Sequence, residues 1–140
     1  MNVVITDEVL NDIEILDTFT KRTIMETKYQ DVIHKAYEAF NSRNIDNALT
    51  VMHAEVHWPK AWEGGHIVGH DEIRDYWTRQ WSEINPNVEP VGFAEREDES
   101  LEVKVHQFVK DLQGGVVFDG IVKHIYTFDN GLIKKMDIEL

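Results

Sequence analysis

From Tyr29 onward the apolar residues recur at intervals of three and four: Tyr29, Val32, Ile33, Ala36, Tyr37 and Phe40. This is the period of a helix with one buried face, and it predicts a long helix halted by the polar run Asn41-Ser42-Arg43-Asn44. A shorter helix follows, with Asp46 as its candidate N-cap and Ala48, Leu49 and Met52 as its apolar side. Glu55 to Trp58 alternates as a strand does and stops at Pro59, which cannot donate to a ladder. Gly64-Gly65 and Gly69 bracket His66-Ile67-Val68, which predicts a tight hairpin. A third helix is predicted from Asp71, whose carboxylate suits a helix start, to about Ile84, with Ile73, Trp77, Trp81 and Ile84 facing the core. Asn85-Pro86 ends it.

Only strands follow: Val88 to Glu97, Leu101 to Leu112, Val116 to Phe128 and Leu132 to Ile138. Gly114-Gly115 and Asn130-Gly131 are hairpin signals, since both central residues of the favoured two-residue turn need positive φ. Before Tyr29 the pattern is weaker. Residues 1–26 read as an N-terminal extension with Ile13, Leu16 and Phe19 at helical spacing, and residues 27–140 read as one domain.

Composition narrows the partners. At 140 residues the chain can bury roughly 70% of its unfolded surface, enough for one sizeable core. A net charge of −12 opposes phosphate backbones and anionic lipids, so nucleic acid and membrane are poor partners. With no apolar run near the ~20 residues of a membrane span and no secretory layout at Met1, the reading is a cytoplasmic protein. The lack of cysteine removes disulfides, thiolate nucleophiles and Cys-type metal sites.

The stretch from Tyr29 onward resembles the nuclear transport factor 2-like superfamily in its SnoaL-like and ketosteroid isomerase-like branch. The resemblance rests on Ala36 to Asn44, Val56-His57-Trp58, Gly69 to Trp77, and Tyr126 to Ile133. It implies an α+β fold: a cone-shaped, curved antiparallel sheet wrapped around three helices with an internal pocket, a cystatin-like roll. It also implies a homodimer through the outer face of the sheet. Ketosteroid isomerase relatives take a proton with an aspartate before the proline that ends the first strand. Here Trp58 stands before Pro59, the helix tyrosine position holds Ala36 with Tyr37 one residue on, and the second acid falls on Ile121. That steroid mechanism is therefore rejected.

Register decides which polar residues reach such a pocket. A two-residue turn at Gly114-Gly115 would set Val105 opposite His124, Val103 opposite Tyr126 and Leu101 opposite Phe128 on one apolar, concave face. His124 then becomes the pocket imidazole, either an acid/base group or a core histidine bonded to a neighbour. The other face pairs Lys110 with Asp119, and only a β-bulge between Asp119 and His124 would turn Asp119 inward. The resemblance to SnoaL-like polyketide cyclases makes Asp119 the nearest match to their late-strand acid/base.

The candidate catalytic set is thus His124, Asp119 and Tyr37, acting without a cofactor on a small apolar or polycyclic molecule by isomerisation, cyclisation or dehydration. Candidate ligand contacts are Trp58, Trp62, Tyr126, Phe128, Val105 and Trp77. The alternative function is a noncatalytic binding or dimerisation module. His53 and His57, and His66 and His70, stand four apart, but neither pair falls on one helix, so no metal site is assigned.

Overall fold

The computed structural model describes residues 18–61 and 63–140, with side chains described from residue 28. Helix α1 (Thr18–Asn41) takes up the three-and-four stripe, burying Ile33, Ala36, Tyr37 and Ala39. The extension read over residues 1–26 lies largely outside the described residues. Its last part, residues 18–26, is the start of α1, which runs through residue 26 without a break.

Helix α2 (Ile45–Leu49) is capped by Asn44, whose side chain accepts from the Asn47 N–H at 3.1 Å. Asp46, the expected cap, lies in the first turn instead and pairs with Arg74. Strand β1 (Met52–Pro59) pairs with the short β2 (His66–Val68) from Pro59 opposite His66, so the connection between them is longer than that of a tight hairpin. Helix α3 (His70–Trp81) follows at once. Its N-cap Gly69 has φ +88°, and a Cβ there would meet the Ala54 carbonyl at 3.3 Å while its N–H donates to Val56. Glycine is required at this join because the backbone turns left-handed against β1.

Strands β3 (Ile84–Glu95), β4 (Leu101–Asp111), β5 (Val116–Asp129) and β6 (Leu132–Glu139) form a meander, and the full order is β2-β1-β6-β5-β4-β3. The sheet is mixed rather than antiparallel throughout, because β6 arrives beside β1 in the same direction, with Met52 opposite Ile133. Helix α3 and the meander supply the long crossover a parallel pair needs. Asn85-Pro86 does not close a helix loop but opens β3, where Pro86 lies opposite Val109. An edge strand tolerates the missing N–H.

Two turns divide the expectations. Asn130-Gly131 makes the two-residue turn, at φ +53° and +77°, with Asp129 opposite Leu132. At Gly114-Gly115 the connection is longer, because the Asp111 carboxylate accepts the N–H groups of Gln113 and Gly115 at 2.9 Å each and wraps residues 112–115 around itself. The longer loop and a register shift between Lys110 and Val109, which leaves Val117 extra on β5, together move the pairing by two residues, one pleat period: Val103 lies opposite His124, Leu101 opposite Tyr126 and Val105 opposite Val122. From Phe118 onward a shift of one full period leaves the side chains on their expected face, whereas Val116, before the irregularity, lies opposite Lys110 and is exposed.

The concave face and the helices enclose the core. Ile73, Trp77, Val56, Val103, Val105, Tyr126 and Ile133 are among its fully buried side chains. The C-terminal end of α1 is tied to edge strand β3 by Asn41, whose amide exchanges two hydrogen bonds with the Val88 backbone at 2.7 and 2.9 Å. Among the described residues no helix is long and apolar enough to cross a membrane.

Candidate functional site

His124 sits in the middle of β5, on the face that period-two alternation gives to Val122 and Tyr126. Its Nδ1 lies 2.6 Å from the Tyr37 hydroxyl, and the Tyr126 hydroxyl donates to that of Tyr37 at 2.8 Å. A helix residue and two strand residues thus meet in one hydrogen-bonded row. All three are removed from solvent, at 5%, 4% and 0% exposure for His124, Tyr37 and Tyr126. Burial disfavours the charged form of each group. It pushes the His124 imidazole down to about 4, so at neutral pH the ring is uncharged. It drives the Tyr37 phenol well above its ordinary range, with help from the Tyr126 hydroxyl beside it, and it drives Tyr126 upward too.

The row opens onto a small hollow of about 60 Å³ between α1, α3 and the concave sheet. Ala36, Tyr37 and Phe40 line it from α1, and Tyr76, Trp77 and Gln80 from α3. Trp58, Val88, Gln107, His124 and Ile138 reach it from the strands. No side chain around it carries a formal charge at neutral pH. Trp58 and Trp77 meet edge to face at 5.5 Å and 81°, a geometry that suits the ring quadrupoles. The rim is held at Ala61, whose N–H donates to the Tyr76 hydroxyl at 3.1 Å. Nearby, Arg79 grips both Glu63 oxygens, at 2.9 and 3.1 Å.

The residues singled out from the sequence separate into groups. His124, Tyr37, Trp58 and Trp77 converge on the hollow. Tyr126 supports the row from behind without lining the hollow. Val105 is buried in the core beside it, and Phe128 stacks on Tyr29 at 4.0 Å, so neither lines the cavity. Trp62 lies outside the described residues.

Asp119 is not part of the row. Pairing runs without a bulge from Phe118 opposite Val109 to Tyr126 opposite Leu101, so Asp119 keeps the outward parity and bonds His106 at 2.6 Å on the exposed face. Ile121, beside it, is also exposed.

Tyr76, Gln80 and Gln107 also line the hollow, although the sequence patterns did not single them out. Gln107 carries a signal, since it shares the parity of Val103 and Val105. Tyr76 and Gln80 sit beside the Trp77 stripe at the helical spacing of four, where a wider apolar face would have included them. The paired histidines disperse: His66 bonds Asp137 at 2.9 Å and His70 bonds the Met52 carbonyl at 3.0 Å. No three His, Cys, Asp or Glu side chains gather as metal ligands among the described residues.

Solved structures of the same shape are numerous. TerC, co-crystallised with polyporic acid, is 24% identical, with a TM-score of 0.70 over 79% of this chain and 89% of that one. An NTF2-like protein of unknown function from Burkholderia pseudomallei is 22% identical, with a TM-score of 0.70 over 81% and 90%. A candidate polyketide cyclase from Xanthomonas campestris is 14% identical, with a TM-score of 0.66 over 81% and 90%. At these identities the likeness is one of fold. A comparison with curated proteins returns no match. The SnoaL-like domain matches residues 33–136, which run from Ile33 of α1 to Met136 of β6 and so take in the row and most of the hollow's lining; the chain belongs to the SnoaL-like domain family.

Proposed function

We propose that this chain holds a small, uncharged, largely apolar ring molecule in the hollow between α1, α3 and the concave sheet. The observation that carries the reading is the lining itself: aromatic and aliphatic walls, a few neutral polar groups and no ionised side chain. Such a lining favours flat apolar molecules and penalises charged ones, whose desolvation nothing there offsets. TerC, which shares the fold, was crystallised with a small organic molecule, polyporic acid.

The hollow of about 60 Å³ is smaller than the roughly 150 Å³ that admits a benzene ring. Binding therefore requires the rim at Ala61 to part from Tyr76. Among the described residues a neutral hydrogen bond and an exposed ion pair hold that rim, each worth about 1 kcal/mol or less. The test is a calorimetric and thermal-shift screen of uncharged aromatic compounds against the wild type and Ala36→Phe, which fills the hollow from α1. Ligands that stabilise the wild type and lose affinity for the variant support the reading. Ligands that bind both equally sink it.

A second reading is cofactor-free proton-transfer chemistry in the same hollow, an isomerisation, cyclisation or dehydration. In that reading the buried Tyr126-Tyr37-His124 row supplies the hydrogen-bond donor that stabilises an enolate oxygen as it forms, and the substrate proton leaves to water, since no carboxylate lines the hollow. Asp119 takes no part in this version, because it lies on the opposite face. On that face Val117 and Ile121, at 56% and 58% exposure, suit a homodimer through the sheet. Sedimentation equilibrium showing a monomer at every concentration would discard the dimer.

A further inference from the structure

We infer that His124 is a one-way hydrogen-bond donor, presenting Nε2–H to an acceptor oxygen of the bound molecule, with Tyr37 and Tyr126 as the positioning residues that lock its tautomer. This rests on the pocket reading above and adds to it the chemical class of the ligand: a ketone, quinone or similar carbonyl compound.

At the far end of the row, Tyr126 is fully buried, does not line the hollow, and among the described residues has the Tyr37 oxygen as the acceptor for its hydroxyl proton. Reversing the row would make Tyr37 donate to Tyr126 and leave the Tyr126 proton with no acceptor. A buried donor left so costs about 1–3 kcal/mol. Tyr126 therefore donates to Tyr37. A hydroxyl has one proton, and that of Tyr37 has His124 Nδ1 at 2.6 Å to receive it. Nδ1 is then an acceptor, and the neutral ring must carry its proton on Nε2. Burial keeps the ring neutral, consistent with this arrangement.

Nε2 has no protein partner among the described residues. Neither is it sealed off: among the described residues the buried side-chain polar atom without a partner is Trp81 Nε1, not His124 Nε2, and His124 borders the hollow. The free N–H thus opens where a ligand would lie. It cannot serve as a base without breaking the row behind it, but a neutral imidazole N–H can polarise a carbonyl. A carboxylate ligand would meet no cation in the lining, whereas a carbonyl needs none.

The test has a ligand-free arm and a ligand arm. In the ligand-free arm, long-range ¹H–¹⁵N correlation on the uniformly labelled wild type reads the His124 tautomer directly. The expected result is a proton on Nε2, with the Nδ1–H form gaining population in Tyr37→Phe. A wild type with its proton on Nδ1 overturns the inference. In the ligand arm, acetophenone and α-methylstyrene, which have nearly the same shape but differ in C=O against C=CH₂, are titrated into the wild type and His124→Phe. Acetophenone should bind about five- to tenfold more tightly to the wild type, as one hydrogen bond predicts, and the preference should vanish in the variant. Equal binding of both probes to the wild type overturns the donor assignment. Binding of neither probe overturns the pocket reading beneath it, and the tautomer result then reports on the row alone.

Discussion

Two histidines on adjacent strands each lie 2.6 Å from an oxygen, and they teach opposite lessons. His106 on β4 meets Asp119 on the outer face, where the two side chains are 39% and 56% exposed. His124 on β5 meets Tyr37 on the inner face at the same distance, with both residues almost wholly buried. In water the outer pair competes with solvent and is screened by salt, so the contact is worth little. In the interior no solvent replaces a lost partner, so burial keeps the ring neutral and the inner contact holds its orientation. Distance alone does not say what a contact does. The face of the sheet decides it.

The comparison can be broken most forcefully at its buried end. Tyr126→Ala removes a fully buried ring and the terminal donor of the row, and should lower the unfolding free energy by about 3–5 kcal/mol in urea denaturation. A loss below 1 kcal/mol would mean the inner face is no more tightly packed than the outer.

Acid should act next. The His124 ring has a folded value near 4 against an ordinary 6.5, so the unfolded chain takes up the proton first as pH falls. This group's contribution is therefore intact above pH 6.5 and is lost progressively from there down to about 4. A displacement of that size corresponds to about 3 kcal/mol. Carboxylates such as Glu102 and Glu139, held below their ordinary range chiefly by hydrogen bonds from Arg96, add acid sensitivity of their own. The decisive measurement is therefore a difference: stability against pH for the wild type minus that for His124→Gln, which should slope through the window from 6.5 to 4.

Tyr37→Phe is subtler. It leaves the Tyr126 proton and His124 Nδ1 without partners while keeping the ring, so a cost of about 1–3 kcal/mol is expected from thermal or urea unfolding. The matching change on the outer face, Asp119→Asn, should cost about 0–1 kcal/mol, and less in high salt. If these two costs came out equal, the contrast between the faces would fail.

Much of this is legible in the amino-acid order. Helical spacing marks Ile33, Ala36 and Tyr37 as one buried face because it is a property of the local chain, and strand alternation gives His124 and Tyr126 their inward parity. That parity survives an error in register. Dipeptide preference predicts a two-residue turn at Gly114-Gly115, but the Asp111 carboxylate collects the N–H groups of Gln113 and Gly115 and lengthens the loop. Asn85-Pro86 has the pattern of a helix stop, although the strand begins one residue before it. The parallel pairing of β1 with β6 leaves no local mark, since the two strands reflect only their own alternation and not the direction in which a distant partner arrives. Within the candidate site, His124 and Tyr37 each stand out in their own segments, but nothing in either segment announces that they touch across 87 positions.

By itself the sequence determined which segments become helix or strand and which way their side chains point, because those depend on repeats a few residues long. Tertiary structure alone decided that Tyr126, Tyr37 and His124 form a single directed row, that Asp119 stays outside it, and that the hollow they border is small. The reason is one of range. Periodicity is written within each element, whereas the separation between elements is set by how the sheet curves and how side chains from all of them fill the space beneath it.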